Sequence, residues 1–160
     1  MTRSVTNAEY GALAELRYRI RRFLQAGDEA ARRSHLEPQQ YLMLLAIRGL
    51  PPGTDATLRT LAGRMALKHH SAVELTDRLE AHGLVHRIRS GEDRREVRLS
   101  LSARGAKLLE QVARQRIEEL RTSGATLADA IHVLVKRSGR TRKLTRKILS
   151  TNRIEGKSRS

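Results

Sequence analysis

The sequence predicts a mostly α-helical fold with one small β-hairpin, and three observations carry that prediction. Apolar content comes mainly from Leu, Ala, Val and Ile, aromatics are only 2%, and Trp and Cys are absent, so the core is aliphatic. Apolar residues recur at helical spacing over long stretches near both ends. One segment alternates with the period of a strand: Val97, Leu99 and Leu101 are separated by Arg98 and Ser100. A chain of 160 residues is long enough for one domain with a real core, or a compact unit plus a tail.

The first helix begins at Thr6-Asn7-Ala8-Glu9, a hydroxyl followed three residues later by a carboxylate, which is the capping-box pattern. Leu13, Leu16, Ile20, Phe23 and Leu24 form its apolar stripe to about Ala31, and Arg17, Arg19, Arg21 and Arg22 cover the remaining surface. Glu37-Pro38 starts a second helix, with Pro at the first helical position, where its missing N–H costs nothing. Tyr41, Leu42, Leu44, Leu45 and Ile47 make this helix apolar almost all round and predict its burial. Gly49 with Pro51-Pro52-Gly53 stops it.

Thr57 is placed to cap a short third helix, whose Leu58, Leu61 and Met65 share one inward face. After a turn near 66–69, a fourth helix carries Val73, Leu75, Leu79 and Ala81, and ends at His82-Gly83, where Gly suits a left-handed cap. Leu84, Val85 and Ile88, lying among His86, Arg87 and Arg89, predict one short strand, and 97–101 predicts its partner. The turn between them, Ser90-Gly91-Glu92-Asp93-Arg94-Arg95, is loaded with charge. Two short helices joined by a tight turn and followed by a hairpin make a winged helix-turn-helix.

Ser102 is placed to cap a long helix through Leu108, Leu109, Val112, Ile117 and Leu120. Gly124 is expected to break it, and Thr126-Leu127-Ala128-Asp129 to restart a helix carrying Ile131, Leu134 and Val135. Beyond Gly139 the pattern weakens: Leu144 and Ile148 allow a basic amphipathic turn or two, and 150–160 is expected to be disordered. The apolar stripes at both ends exceed what the central winged unit can cover. A stripe with no partner in its own chain usually finds one in another, so the expectation is a symmetric homodimer built from both chain ends.

Net charge is +15, which favours polyanionic partners, above all nucleic acid. The charge is uneven: residues 136–160 hold ten Lys or Arg and one acidic residue, Glu155. Such a tail either keeps the protein soluble or contacts phosphates, and its density favours contact. With no Cys there is no disulfide, thiolate metal site or thiol redox sensor. No apolar run approaches a membrane span, and the opening MTRSVTNAEYGALAEL lacks the apolar core of a signal peptide, so a cytoplasmic location is expected. The chain has no His-Glu-x-x-His, no Gly-x-Ser-x-Gly and no phosphate loop, which argues against an enzyme, and no cofactor is implied. His69-His70 is a poor metal site, because adjacent side chains on a helix point apart.

The stretch LRTLAGRMALKHHSAVELTDRLEAHGLVHRIRSGEDRREVRLSLSARGAKLL, Leu58 to Leu109, closely resembles the multiple antibiotic resistance regulator (MarR) family of bacterial transcription factors. Its specific parts are DRLEAHGLV, then Asp93-Arg94-Arg95, then Leu99-Ser100-Leu101-Ser102, and the helix order extends the resemblance over roughly 8–137. The resemblance implies a homodimeric winged-helix protein bound to a pseudo-palindromic operator, usually a repressor released by a small, often phenolic or amphipathic, ligand. It divides the chain into an N-terminal dimerisation helix (1–35), a DNA-binding domain (36–101), C-terminal dimerisation helices (102–137) and a basic flexible tail (138–160).

A recognition helix places its N-terminal side chains against base edges in the major groove. Here those are Lys68, His69, His70, Ser71 and Glu74, with Arg78 a turn further on. Neutral His donates or accepts, Ser pairs with either kind of group, and Glu accepts from cytosine N4. Many relatives carry Arg where Glu74 stands, so Glu74 must read a base or orient a cation. The family's Asp-x-Arg pattern maps to Asp93 and Arg95: the Arg enters the minor groove and the Asp holds it in position. A narrow, negative minor groove suits a guanidinium, and Arg94 is assigned to a phosphate.

The resemblance also implies an effector pocket between the first, second and fifth helices, where Arg17, Tyr18, Arg21, His35 and Tyr41 are the candidates. Arginines there favour an anionic effector such as an aromatic carboxylate. Two other readings stay open. A nucleoid-type architectural protein would coat DNA with little sequence preference. A ligand-binding or interaction module would have lost DNA binding, against which the intact Asp93–Arg95 turn argues.

Overall fold

A computed structural model describes residues 4–89 and 97–155. These form α1 (Asn7–Arg33), α2 (Pro38–Arg48), α3 (Leu58–Arg64), α4 (His69–Ala81), β1 (Val85–Arg89), β2 (Val97–Leu101) and α5 (Ala103–Glu155). They fall into two compact units. One runs from Leu24 to Glu118, wider than the 36–101 expected, because it takes in the end of α1 and the start of α5. The other joins the two ends of the chain, up to Phe23 and from Glu119 onward. The described fold is mostly helical with one antiparallel hairpin, as the sequence predicts.

The helix starts follow their caps. The Thr6 N–H donates to Glu9 Oε2 at 2.8 Å and the Glu9 N–H donates back to Thr6 Oγ1 at 3.3 Å. Pro38 opens α2, and the Gln40 side-chain oxygen accepts the Glu37 N–H at 3.0 Å. Thr57 caps α3 by accepting the Thr60 N–H at 3.1 Å. Ser102 caps α5 by accepting the Gly105 N–H at 2.9 Å, while its hydroxyl donates to the Gly83 carbonyl at 2.7 Å.

Three helix ends share one device. After α1, α3 and α4 the chain passes through a left-handed residue, His35 (φ 58), Ala66 (φ 51) and Gly83 (φ 64). The following N–H then reaches back over the last turn: Leu36 to Ala31 at 3.0 Å, Leu67 to Ala62 at 2.9 Å and Leu84 to Leu79 at 2.9 Å. This is the Schellman geometry, and each returning residue is an apolar Leu that packs into the core.

The core of the Leu24–Glu118 unit gathers Leu36, Met43, Leu44, Leu61, Leu75, Leu79, Val85, Leu99, Leu109 and Val112. The strands pair in register Val85↔Leu101, Arg87↔Leu99 and Arg89↔Val97, so Val85 and Leu99 share the inward face. A third segment, not visible as a strand in the sequence, docks on the outer edge of β2. The Leu99 N–H donates to the Ala56 carbonyl at 2.9 Å, and Thr57 bridges Arg98.

Three expectations are corrected. The second helix is not buried all round: Leu42 and Leu45 are exposed, because only the Gln40, Tyr41, Met43 and Leu44 side faces the core. Ile88 is in the strand expected of it and lies open on the outer face of the hairpin, since a two-stranded sheet has only one covered side. Gly124 does not break α5, and Thr126 does not start a new helix. The chain stays helical to Glu155, where disorder was expected from 150. One internal Gly costs a helix only about 1 kcal/mol. No proline follows Pro52, so every later peptide N–H can join the ladder.

Candidate nucleic-acid interface

α4 turns Ala72, Leu75, Thr76 and Leu79 into the core. Thr76 is satisfied there, donating its hydroxyl to the Ala72 carbonyl at 2.8 Å. At 3.6 residues per turn the opposite side holds His70, Glu74 and Arg78, one turn apart. Lys68, His69, His70, Glu74 and Arg78 are exposed and Ser71 is half-buried. The six candidates on this helix therefore form one outward strip with its N-terminal turn. Lys68 occupies the N-cap position without a side-chain cap bond, and the first turn contains no acid. The positive end of the helix and its unpaired N–H groups thus face outward with two imidazoles and an ammonium, a setting that favours phosphate oxygens.

The outward strip also carries acids. Asp77 lies beside Arg78, and Glu80 follows. Both are paired from the hairpin: Arg87 donates Nη1 to Glu80 Oε2 at 2.9 Å and Nη2 to Asp77 Oδ1. Arg87 sits on the inward face of β1, in line with Val85, and spans from strand to helix. Sequence reading did not single it out. The available signal was an arginine at an inward register position, which requires acids facing it. A second tie holds β2, where Arg98 Nη2 lies 3.0 Å from Asp55 Oδ2. Arg104, near the start of α5, donates to the His82 carbonyl at 3.0 Å and fixes the end of α4. The strands that carry the turn are thus fastened to α4 and to the segment before α3. The turn itself, with Asp93, Arg94 and Arg95, lies outside the described residues.

The effector candidates fall in two places. Arg17, Tyr18 and Arg21 are exposed on the part of α1 that belongs to the terminal unit. His35 and Tyr41 belong to the Leu24–Glu118 unit. His35 is exposed, serving as the left-handed cap of α1, and Tyr41 is buried on α2. Burial pushes the Tyr41 hydroxyl above its ordinary value of 10.0, and the Arg116 guanidinium pulls partly back. Arg116 was not anticipated. It is a buried arginine on α5, and it runs past Gly27 of α1, where an added Cβ would meet its Nε at 3.6 Å. Among the described residues no cluster of three or more His, Cys, Asp or Glu is placed to hold a metal, and no helix is long and apolar enough to cross a membrane.

Residues 36–96 match the model of the MarR family. The chain is 30% identical over 105 residues to the uncharacterized HTH-type transcriptional regulator YsmB of Bacillus subtilis (strain 168), an alignment covering 66% of this chain and 70% of that protein. A MarR family protein from Bacillus stearothermophilus superposes with a TM-score of 0.64 at 26% identity, over 91% of this chain and 99% of that one. A point mutant of S. aureus MepR, solved bound to an oligodeoxyribonucleotide, has the same fold, with a TM-score of 0.56 at 19% identity over 92% and 99% of the two chains.

Proposed function

Because the chain belongs to the MarR family of transcription regulators, we propose that it acts in the cytoplasm as a homodimeric, site-specific binder of duplex DNA, repressing transcription until a small effector releases it. The observation that carries this reading is the outward strip of α4. Its uncapped N-terminal turn presents Lys68, His69 and His70, with Ser71, Glu74 and Arg78 beside them, and the acids next to it are held by Arg87. In this reading α4 enters the major groove, and Glu74 accepts from a cytosine or orients His70. Asp93 orients Arg95 into the minor groove while Arg94 meets a phosphate. The effector is anionic and aromatic, and its candidate contacts are Arg17, Tyr18 and Arg21 in the terminal unit and, separately, His35 and Tyr41 in the other.

The test is selection of bound duplexes from a random pool at near-physiological salt. The expected product is an inverted repeat with half-sites about one helical turn apart. On that duplex Arg95→Ala should weaken binding at least about tenfold, the worth of one good minor-groove arginine, with the melting temperature unchanged. Tight, salt-sensitive binding with no enriched motif would instead mark an architectural protein.

A further inference from the structure

We propose that the last part of α5, residues 136–155, is a second DNA-contacting element: a basic helix face that holds duplex phosphates separately from the base-reading strip of α4. The inference rests on the duplex-binding reading above and adds a source of affinity that this reading does not contain. The backbone is helical to Glu155. The segment holds eight Lys or Arg and a single acidic residue, Glu155.

The spacing of these charges follows the helix. Lys136, Arg140, Lys143 and Lys147 stand at i, i+4, i+7 and i+11, which is one stripe. Arg142, Arg146 and Arg153 stand at i, i+4 and i+11 and form an adjoining stripe. Together they occupy an arc of about 160° at 100° per residue, and only Arg137 falls outside it. The four positions of the first stripe span about 16 Å of axis, and a duplex presents one negative charge per roughly 1.7 Å.

A solvated helix is usually stabilised by alternating charge, with acids four residues from bases. Here 136/140, 142/146 and 143/147 are like-charge pairs at that spacing, and no acid stands among them. Each pair opposes the helix until a polyanion neutralises it. Phosphate contact and helix stability are therefore coupled in this segment. The other arc favours DNA over a lipid surface. It carries Ser138, Thr141, Thr145 and Asn152 beside Leu144, Ile148 and Leu149, with no aromatic residue, which is too polar for an interfacial anchor.

The experiment compares the full chain with its R140Q/R142Q/K143Q/R146Q/K147Q variant, since Gln is as good a helix former as Lys or Arg. Binding to a scrambled 30-base-pair duplex and to the selected operator would be titrated across salt concentrations. Each lost phosphate contact flattens the plot of log K against log salt by about 0.9. The expected result is a slope shallower by roughly 3 or more with at least about tenfold weaker non-specific binding. Preference for the operator over the scrambled duplex should be kept or increased. R140K/R142K/R146K should retain the wild-type slope, and duplex should raise the helical circular dichroism of the wild type more than that of the Gln variant. An unchanged slope overturns this proposal alone. So does a loss of binding to phosphatidylserine vesicles with DNA binding intact. Failure of the wild type to bind either duplex at low salt overturns the duplex-binding reading as well.

Discussion

At the scale of single residues, two small residues of the winged unit meet opposite steric demands. The first turn of α5 crosses the start of β1 so closely that a Cβ on Gly105 would fall on the Leu84 carbonyl. That carbonyl also accepts the Ser102 N–H at 3.0 Å, so it cannot move without loosening the α5 cap. Gly105→Ala should therefore destabilise the protein by about 3 kcal/mol, at the upper end of ordinary overpacking, and denaturant unfolding would read it directly. Ala66 presents the opposite case. It holds a left-handed conformation in the turn between α3 and α4 and its side chain is exposed. The methyl group makes no buried contact there, yet it carries the steric penalty that glycine escapes. Ala66→Gly should stabilise by about 1 kcal/mol, seen as a higher melting temperature. A lower melting temperature would mean that the turn relaxes some other way.

At the scale of elements, the coupling of hairpin to recognition helix passes through Arg87. Its pairs with Asp77 and Glu80 are partly exposed, with side-chain exposures of 29%, 55% and 42%. Together they stabilise the fold by no more than about 1 kcal/mol. Their greater effect is on the charge α4 shows to DNA. Removing Arg87 deletes one positive charge and leaves two carboxylates uncompensated beside Arg78. Arg87→Met should thus cost about 1 kcal/mol or less in unfolding, yet weaken operator binding by much more than that. Equal losses in both would reduce Arg87 to a structural tie.

The elements themselves were largely legible in the sequence, because their signals are local. The Thr6–Glu9 box, Pro38, Thr57 and Gly83 each act within a turn of their own position. The features that stayed hidden depend on distant partners. Thr57 reads only as a cap and Ala56 carries no strand signal, yet they line the edge of β2. The turn near 66–69 was legible, but the left-handed conformation of Ala66 was not, because it goes with the return of Leu67 onto α3 and into the core. Arg116 reads as one more surface charge on a basic helix, but it is buried under α1 and α2. In the candidate site the strip of α4 was legible through the family resemblance that makes α4 a recognition helix, whereas the Arg87 pairing needed the register of β1.

At the scale of the whole molecule, the question is what covers the apolar residues that one chain leaves open. In the terminal unit Leu13, Ile20, Leu120, Ile131, Val133 and Val135 are all exposed, and in the winged unit Leu24 and Ile117 are too. Single exposed apolar residues are normal, but a set recurring along the same two helices near both chain ends is what the proposed dimer would cover. Wider exposure of this kind would drive association without limit unless the contact closed on itself. A two-fold arrangement does this, because the same patch serves both partners. The proposed dimer should sediment at twice the 18.1 kDa chain mass at micromolar concentration. Ile20→Glu with Leu120→Glu places a charge in the open stripe of each helix and should shift the protein toward monomer, with the unfolding transition of the winged unit retained. The same variant should bind a single half-site about as well as the wild type does, while losing its advantage on the inverted repeat, since each protomer then pays its own loss of rotational and translational freedom. A wild-type chain that sediments as a monomer, or a double variant that keeps the inverted-repeat advantage, would place the pairing of half-sites somewhere other than these two helices.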